Sequence, residues 1–270
     1  MSGAGGNSRP VVCCDLDGVV WRGESPIDGA AAGIAHLRDS GLRVVFLTNN
    51  SSGRVRDNVA RLGVAGVDAD ADDVVSSAQA AAAMLASSTP PGSRVLACAG
   101  PGVVEALHAQ GFETVAAAPA DAVVVGWHRD FDFERLRRAA DAVRSGVRFV
   151  ATNLDPTYPG AQGLLPGAGA LVAAVQTAGG RRPEVAGKPE PAMVALVRAR
   201  YHQPVVMIGD RPSTDGAFAS ALGVPFALVL SGVAGMVGGE PVPDPRPKFV
   251  ARDLGGLAPE LVAAFGRASQ

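Results

Sequence analysis

Two carboxylates one residue apart, Asp15 and Asp17, close the apolar run Val11-Val12-Cys13-Cys14 and are followed at once by Gly18. A continuous apolar run of this length reads as a strand buried on both faces, and it delivers the two acids at its C-terminal end. Side chains alternate along a strand, so Asp15 and Asp17 point to one side while Leu16 turns back to the core. Oxygen ligands gathered in one small volume suit a hard cation such as Mg²⁺, which takes one or two protein carboxylates and keeps several waters. An Asp-x-Asp-Gly run is equally at home in a turn, because Asp and Gly both favour turn conformations. The rest of the chain decides between the two.

Two further apolar strands end in the same way. The strand over 43–47 runs into Thr48-Asn49-Asn50-Ser51-Ser52, and the strand over 204–208 into Gly209-Asp210-Arg211-Pro212-Ser213-Thr214-Asp215. Between them, Val185-Ala186-Gly187-Lys188-Pro189-Glu190-Pro191 opens a helix to about 201, with prolines in the first turn where a missing N–H costs nothing. A strand–helix–strand unit is right-handed and leaves both strand ends on one edge, so Thr48 arrives beside Asp15. Three polar strand ends converging on the carboxyl edge of one sheet, where open α/β sheets bind ligands, favour a site over coincident turns.

The intervening chain supplies the scaffold. After a polar loop over 21–26, Asp28 is placed to cap a helix to about 40, with Ile34 and Leu37 inward and Gly41 as the stop. A helix over 54–62, a short strand over 74–76 and an alanine-rich helix over 78–86 lead to the break Thr89-Pro90-Pro91-Gly92. From Arg94 a second α/β alternation begins, with strands over 95–98, 122–125 and 148–152 and helices near 103–110, 133–144 and 168–178. Gly179-Gly180 marks the return crossing, and a helix over 216–222, a strand over 226–230 and a last strand and helix from 248 complete the first unit. The pattern predicts an α/β protein with a Rossmann-like parallel-sheet core over 1–78 and 183–270, and a smaller α/β unit inserted over 79–182.

Composition narrows the partners. With 47% hydrophobic and 19% charged residues in 270, the chain is a folded globule with a sizeable core. Its net charge of −2, with both signs interspersed, offers nothing to a nucleic acid or a membrane surface. The stretch over 1–10 lacks the apolar segment of a secretory signal, and 224–237 is interrupted by Pro225, Ser231, Gly232 and Gly235, which excludes a membrane span. Cys13, Cys14 and Cys98 form no disulfide framework, which suits a reducing cytoplasm.

Asp15-Leu16-Asp17-Gly18-Val19, Thr48-Asn49-Asn50-Ser51, Gly187-Lys188-Pro189 and Gly209-Asp210-Arg211 with Asp215 resemble, in order and spacing, the four motifs of the haloacid dehalogenase-like (HAD) superfamily of phosphatases. The insertion resembles the C2 cap of its NagD-like subfamily, which includes nitrophenyl, phosphoglycolate and glycerol phosphate phosphatases. The resemblance covers all but the first residues and the extreme C-terminus. It implies a Mg²⁺-dependent phosphatase acting on a small phosphorylated metabolite. It casts Asp15 as the nucleophile that forms an aspartyl-phosphate, and Asp17 as the acid that protonates the leaving alcohol and then the base that activates water. Thr48, Asn49 through its backbone N–H, Asn50 and Lys188 would hold the phosphoryl oxygens. Asp15, Asp210 and the backbone carbonyl of Asp17 would bind Mg²⁺, while Asp215 orients waters or Lys188.

The segment Thr152-Asn153-Leu154-Asp155-Pro156-Thr157-Tyr158-Pro159 resembles the cap loop that faces the active site in NagD-like proteins. Tyr158 is therefore expected to contact the leaving group, with Asn153 and Asp155 as further specificity residues. Two positions depart from the family pattern: His128, after Trp127, and Ser213 stand where relatives often carry acids. His36, His108, His128 and His202 lie outside the motifs, which argues against a phosphohistidine or a His-rich metal site. A homodimer through the cap is compatible with the resemblance. Two other classes stay open: a phosphotransferase or mutase using the same nucleophile, and a non-catalytic phospho-receiver or binding protein.

Overall fold

The three apolar strands that carry the acids lie side by side. In the computed structural model, which describes residues 9–243 and 246–266, Val11–Cys14 pairs in parallel with Arg43–Thr48 on one side and Pro204–Gly209 on the other. The strands Phe249–Ala251, Phe226–Val229, Pro204–Gly209, Val11–Cys14, Arg43–Thr48 and Val74–Ser76 form, in that order, one parallel sheet. From Val11–Cys14 the chain moves outward to one side, and after the insertion it returns to the other. Asp15 thus leaves the sheet at its topological switch point.

Helices cover both faces. Cys13 packs with Ala81, Met193 and Phe218 in one layer, and Cys14 with Ile34, Leu37 and Leu254 in the other, as strand alternation requires. Burial pushes the Cys13 thiol up to about 12, so it is an inert core side chain at neutral pH. Among the described residues no helix is long and apolar enough to cross a membrane, and 224–237 is the strand Phe226–Val229 followed by loop. Residues 1–8, most of the stretch read for a leader, lie outside the described residues.

The insertion builds a second parallel sheet in the order Glu184–Val185, Arg148–Ala151, Ala122–Val125, Arg94–Cys98 and Glu113–Val115. Glu184–Val185 pairs with Val150 and Ala151, so this sheet takes in residues just beyond the return expected at 183. The helix Ser77–Ala86 lies between the units, and its small side chains share one apolar cluster with Val45 of the first sheet and Val124 of the second. Alanine permits that close approach.

Several short elements have no counterpart in the expected pattern. Trp21–Arg22 pairs with Ser25–Pro26 inside the predicted loop, Glu113–Val115 is an edge strand, and Thr157–Gly160 forms a hairpin with Gly163–Pro166. Runs of two to four residues are too short to show a hydrophobic period. The first helix, Ala30–Asp39, is entered through Gly29 at φ 80°, and no side chain caps it. Asp28 therefore does not have the capping role its position suggested.

The helix Pro101–Ala109 abuts the loop that continues from Thr48. Gly102 N donates to Ser52 O at 3.0 Å, and Glu105 accepts from Val55 N at 3.1 Å at the start of the helix Val55–Val64. A Cβ on Gly102 would stand 2.0 Å from Gly53 O and 2.7 Å from Ser51 O, both backbone atoms that cannot swing aside. Gly102→Ala is expected to destabilise the fold by about 1–3 kcal/mol through overpacking, measured by urea unfolding, with the Thr48–Ser52 loop displaced.

Candidate active site

The site is built around a buried ammonium. Gly187 allows the chain to pass where a Cβ would lie 2.5 Å from Thr152 O and 2.6 Å from Asn49 Oδ1. The next residue, Lys188, is 3% exposed, and its Nζ donates to Asp15 Oδ1 at 2.8 Å, Asp215 Oδ1 at 2.7 Å and Leu47 O at 3.0 Å. All three ammonium protons are used. The two carboxylates hold its pKa above the ordinary lysine value against the opposing effect of burial. Asp215 Oδ2 accepts from Arg211 N at 3.2 Å, so both its oxygens have partners and it orients the lysine.

Asp15, Asp210 and Asp215 bring one carboxylate oxygen each to within 4.8 Å of the others. Burial raises the Asp15 pKa well above the usual carboxylate range, and it pushes Asp210 up to about 7, with Asp215 adding repulsion. Three close acids with one lysine leave excess negative charge in a buried pocket of hard oxygen donors, a donor set that fits a divalent cation such as Mg²⁺. Asp210 is seated by Val233 N at 2.5 Å, and a Cβ on Gly18 (φ 87°) or Gly232 would come within 2.2 or 1.9 Å of its Oδ2.

Asp17 sits beside this cluster in a different setting. Its Oδ1 accepts Trp21 Nε1 at 3.0 Å, and the Arg61 guanidinium stacks 4.0 Å above the Trp21 ring. Burial raises its pKa, with Arg61 opposing, so the carboxyl keeps its proton to higher pH than a surface acid. Arg61 and Trp21 escaped the sequence reading because neither belongs to a polar strand end.

The residues after the second strand shape the opposite wall. Thr48 Oγ1 accepts from Asn50 N at 3.0 Å, and Asn50 Oδ1 accepts from Ser52 N and Oγ at 3.1 and 2.7 Å, so the Asn50 amide braces its own loop. Asn49 Oδ1 accepts Lys188 N at 2.8 Å while Nδ2 donates to Lys188 O at 3.1 Å, clamping that peptide from both sides. The Asn49 carbonyl accepts from Ser77 Oγ and Asn153 Nδ2, each at 2.6 Å.

A cleft of about 550 Å³ separates these groups from the second sheet, with Trp127, Asn153, Asp155 and Tyr158 on its far side. Tyr158 meets Trp127 edge to face, centroids 5.1 Å apart at 80°, and Trp127 Nε1 donates to Pro166 O at 3.0 Å. In the sequence, the signal for Trp127 is its place just beyond the carboxyl end of Ala122–Val125. Asn153 and Asp155, expected as specificity residues, hydrogen-bond core loops. Ser213 and Arg211 both bind Glu240, at 2.5 and 2.9 Å, and Arg211 reaches Thr157 O at 2.7 Å, tying the hairpin to the core. His128 is buried, with Nδ1 2.9 Å from Gly126 O and its ring edge-on to Phe131.

A parallel α/β core with acids and a lysine at its switch point, carrying an α/β insertion, is the architecture of the haloacid dehalogenase-like hydrolases, and the chain belongs to that family. Residues 12–113 match the family described as haloacid dehalogenase-like hydrolase, and 185–257 the HAD-hydrolase-like family. The chain is 40% identical over 250 residues to D-glycerol 3-phosphate phosphatase of Mycobacterium tuberculosis, covering 90% of this chain and 69% of that one. It is 34% identical over 228 residues to ribonucleotide monophosphatase NagD of Escherichia coli K12, covering 83% and 89%. The crystal structure of M. tuberculosis glycerol phosphate phosphatase in complex with magnesium superposes with a TM-score of 0.81 at 37% identity, covering 97% of this chain and 80% of that one.

Lys188→Met would leave Asp15 and Asp215 buried without their cation. The variant is expected to lose about 3–5 kcal/mol in chelator-treated protein, read by urea unfolding. Asp15, already raised by burial, must then be neutral to stay buried, so the loss is expected to be larger at pH 8 than at pH 5.

Proposed function

We propose that the protein is a Mg²⁺-dependent phosphatase that hydrolyses a small phosphate monoester through an aspartyl-phosphate on Asp15. The observation that carries this is the placement of two neighbouring acids: Asp15 is bound to the Lys188 ammonium beside Asp210 and Asp215, while Asp17 is held by the Trp21 indole N–H. In the first step a carboxylate oxygen of Asp15 attacks phosphorus, the bond to the leaving oxygen breaks, and Asp17 gives that oxygen its proton. In the second, Asp17 takes a proton from water, whose oxygen attacks phosphorus and releases orthophosphate and the Asp15 carboxylate. Thr48 and the Asn49 N–H would hold the phosphoryl oxygens, and the Lys188 ammonium would balance the charge that spreads over them. Asp15, Asp210 and the Asp17 backbone carbonyl would hold Mg²⁺, which when bound neutralises phosphoryl charge.

We take 79–182 as the cap that selects the leaving group. Candidate substrates are glycerol phosphate, phosphoglycolate, a sugar or nucleoside monophosphate, and p-nitrophenyl phosphate; similarity to a D-glycerol 3-phosphate phosphatase supports including glycerol phosphate. Free, buried Cys13, Cys14 and Cys98 suit a cytoplasmic location, and any homodimer is taken to form through the insertion.

A screen of phosphate esters with Mg²⁺ is expected to show orthophosphate release that Asp15→Asn lowers by roughly a thousandfold or more. Phosphoryl transfer to an added acceptor would instead mark a phosphotransferase, and stable stoichiometric phosphorylation a receiver. Mg²⁺ is expected to raise Tm more at pH 8 than at pH 6, because below about 7 the cation must displace the Asp210 proton. Tyr158→Ala is expected to reorder kcat/KM among esters with different leaving groups; an unchanged ranking would remove Tyr158 from substrate selection.

A further inference from the structure

Asp155 is a partly buried carboxylate at the edge of the cleft that the two chemical steps do not use. It lies on the insertion, in the loop after Arg148–Ala151, yet both its oxygens face the core. Oδ2 accepts from Asn49 Nδ2 at 2.9 Å and Oδ1 from Thr214 Oγ1 at 2.9 Å. Its own loop holds it in place: Asp155 N donates to Asn153 Oδ1 at 3.0 Å, and its carbonyl accepts from Gly169 N at 2.9 Å. A Cβ on Gly167 would stand 2.2 Å from that carbonyl oxygen, so the loop is closed tightly over the following helix start. No arginine or lysine forms an ion pair with Asp155 among the described residues; the nearby Arg211 is engaged by Glu240 and Thr157.

The two core partners are the ones that set Lys188. The Asn49 amide clamps the Lys188 peptide only in one sense, Oδ1 toward Lys188 N and Nδ2 toward Lys188 O. Turning it over would set N–H against N–H at Lys188 and oxygen against carboxylate at Asp155. Thr214 is the residue before Asp215, whose carboxylate holds the Lys188 ammonium at 2.7 Å. One acid from the insertion thus fastens both the clamp on the lysine backbone and the turn that holds its head.

We propose that Asp155 is a positioning residue that makes the placement of Lys188 conditional on docking of the insertion, by accepting hydrogen bonds from Asn49 and Thr214 instead of reading the leaving group. This rests on the phosphatase reading for its kinetic test. Because it acts on the lysine, which faces the phosphoryl group common to all substrates, its loss slows every ester by the same factor. A residue that touched the leaving group would slow them unequally.

The test compares wild type, Asp155→Ala, Asp155→Asn and Thr214→Val on p-nitrophenyl phosphate, glycerol phosphate and ribose 5-phosphate, with orthophosphate affinity in Mg²⁺ measured by calorimetry as an arm that needs no turnover. Asp155→Ala is expected to lower kcat/KM by about thirtyfold to a hundredfold, uniformly across the three esters. The Asn variant can accept from Asn49 and donate to Thr214 Oγ1, and is expected to stay within about fivefold of wild type. Orthophosphate affinity is expected to fall by about tenfold in the Ala variant and hardly at all in the Asn variant. Thr214→Val removes one of the two bonds and is expected to give a smaller loss, again uniform, which keeps the test alive if the Ala variant does not fold. Losses that differ widely among esters, an Asn variant as impaired as Ala, or an unimpaired Ala variant would each overturn the proposal. If wild type hydrolyses no ester but orthophosphate affinity follows the expected order, the phosphatase reading falls and the positioning role stands. If esters are hydrolysed and Asp155→Ala behaves as wild type, the reverse holds.

Discussion

Everything at the mouth of the first sheet depends on one ion cluster: the Lys188 ammonium held between Asp15 and Asp215, in contact with the end of the second strand at Leu47 O. A lone ammonium at 3% exposure would carry a desolvation cost of several kcal/mol, and so would either acid alone. Together they are tolerated because every proton of the lysine has an acceptor and both oxygens of Asp215 have donors. Glycines at 18, 187, 209 and 232 follow from the same constraint, since a Cβ at any of them would enter the space of these acids or of the loops that clamp the lysine. The local sequence around each motif is thus shaped by what a buried ion cluster needs for its packing.

The two units are joined by features that serve this cluster. Alanines of Ser77–Ala86 let the sheets share a core, and Ser77 Oγ caps the Asn49 carbonyl from the same helix. Ser51 Oγ meets Thr152 Oγ1 at 3.0 Å, in the gap left by Gly126, where a Cβ would stand 2.6 Å from Ser51 Oγ. The contact is polar and made of small side chains on the cleft side, and apolar behind. A junction of that kind fixes where the insertion sits while leaving the cleft open between Tyr158 and Asp17.

How much was visible beforehand follows the range of each interaction. The core strands, the acids at their ends and the lysine before a proline-started helix are encoded locally, by apolar runs and by residues within a few positions of one another. Sheet topology then brings them together without further information, and the alternation that put Cys13 and Cys14 on opposite faces holds in the two separate layers they join. What was not legible depends on partners far apart in sequence. Arg61 over Trp21, Arg211 on Glu240 and Asp155 between Asn49 and Thr214 are pairings across units or across the chain. Asp155 shows the difference most sharply: it lines the cleft, as its loop suggested, but its hydrogen bonds to Asn49 and Thr214 join residues 106 and 59 positions apart. Glu184–Val185 was hidden for another reason, since two residues carry no period and their pairing with Val150 and Ala151 exists only once the second sheet has formed.

Charge explains why the site is arranged as it is. Asp15, Asp210 and Asp215 against Lys188 leave two negative charges when all are ionised, and the protein lowers that burden by raising the pKa of Asp15 and Asp210. A divalent cation removes the same excess without protonating the acids. Asp17 has a different nearest setting, with the Trp21 N–H on its Oδ1 and the Arg61 charge opposing the effect of burial more than Lys188 does. Two carboxylates one residue apart thus lie in different electrostatic settings, one tied to an ammonium and one hydrogen-bonded to an indole N–H, although a single strand end carries both.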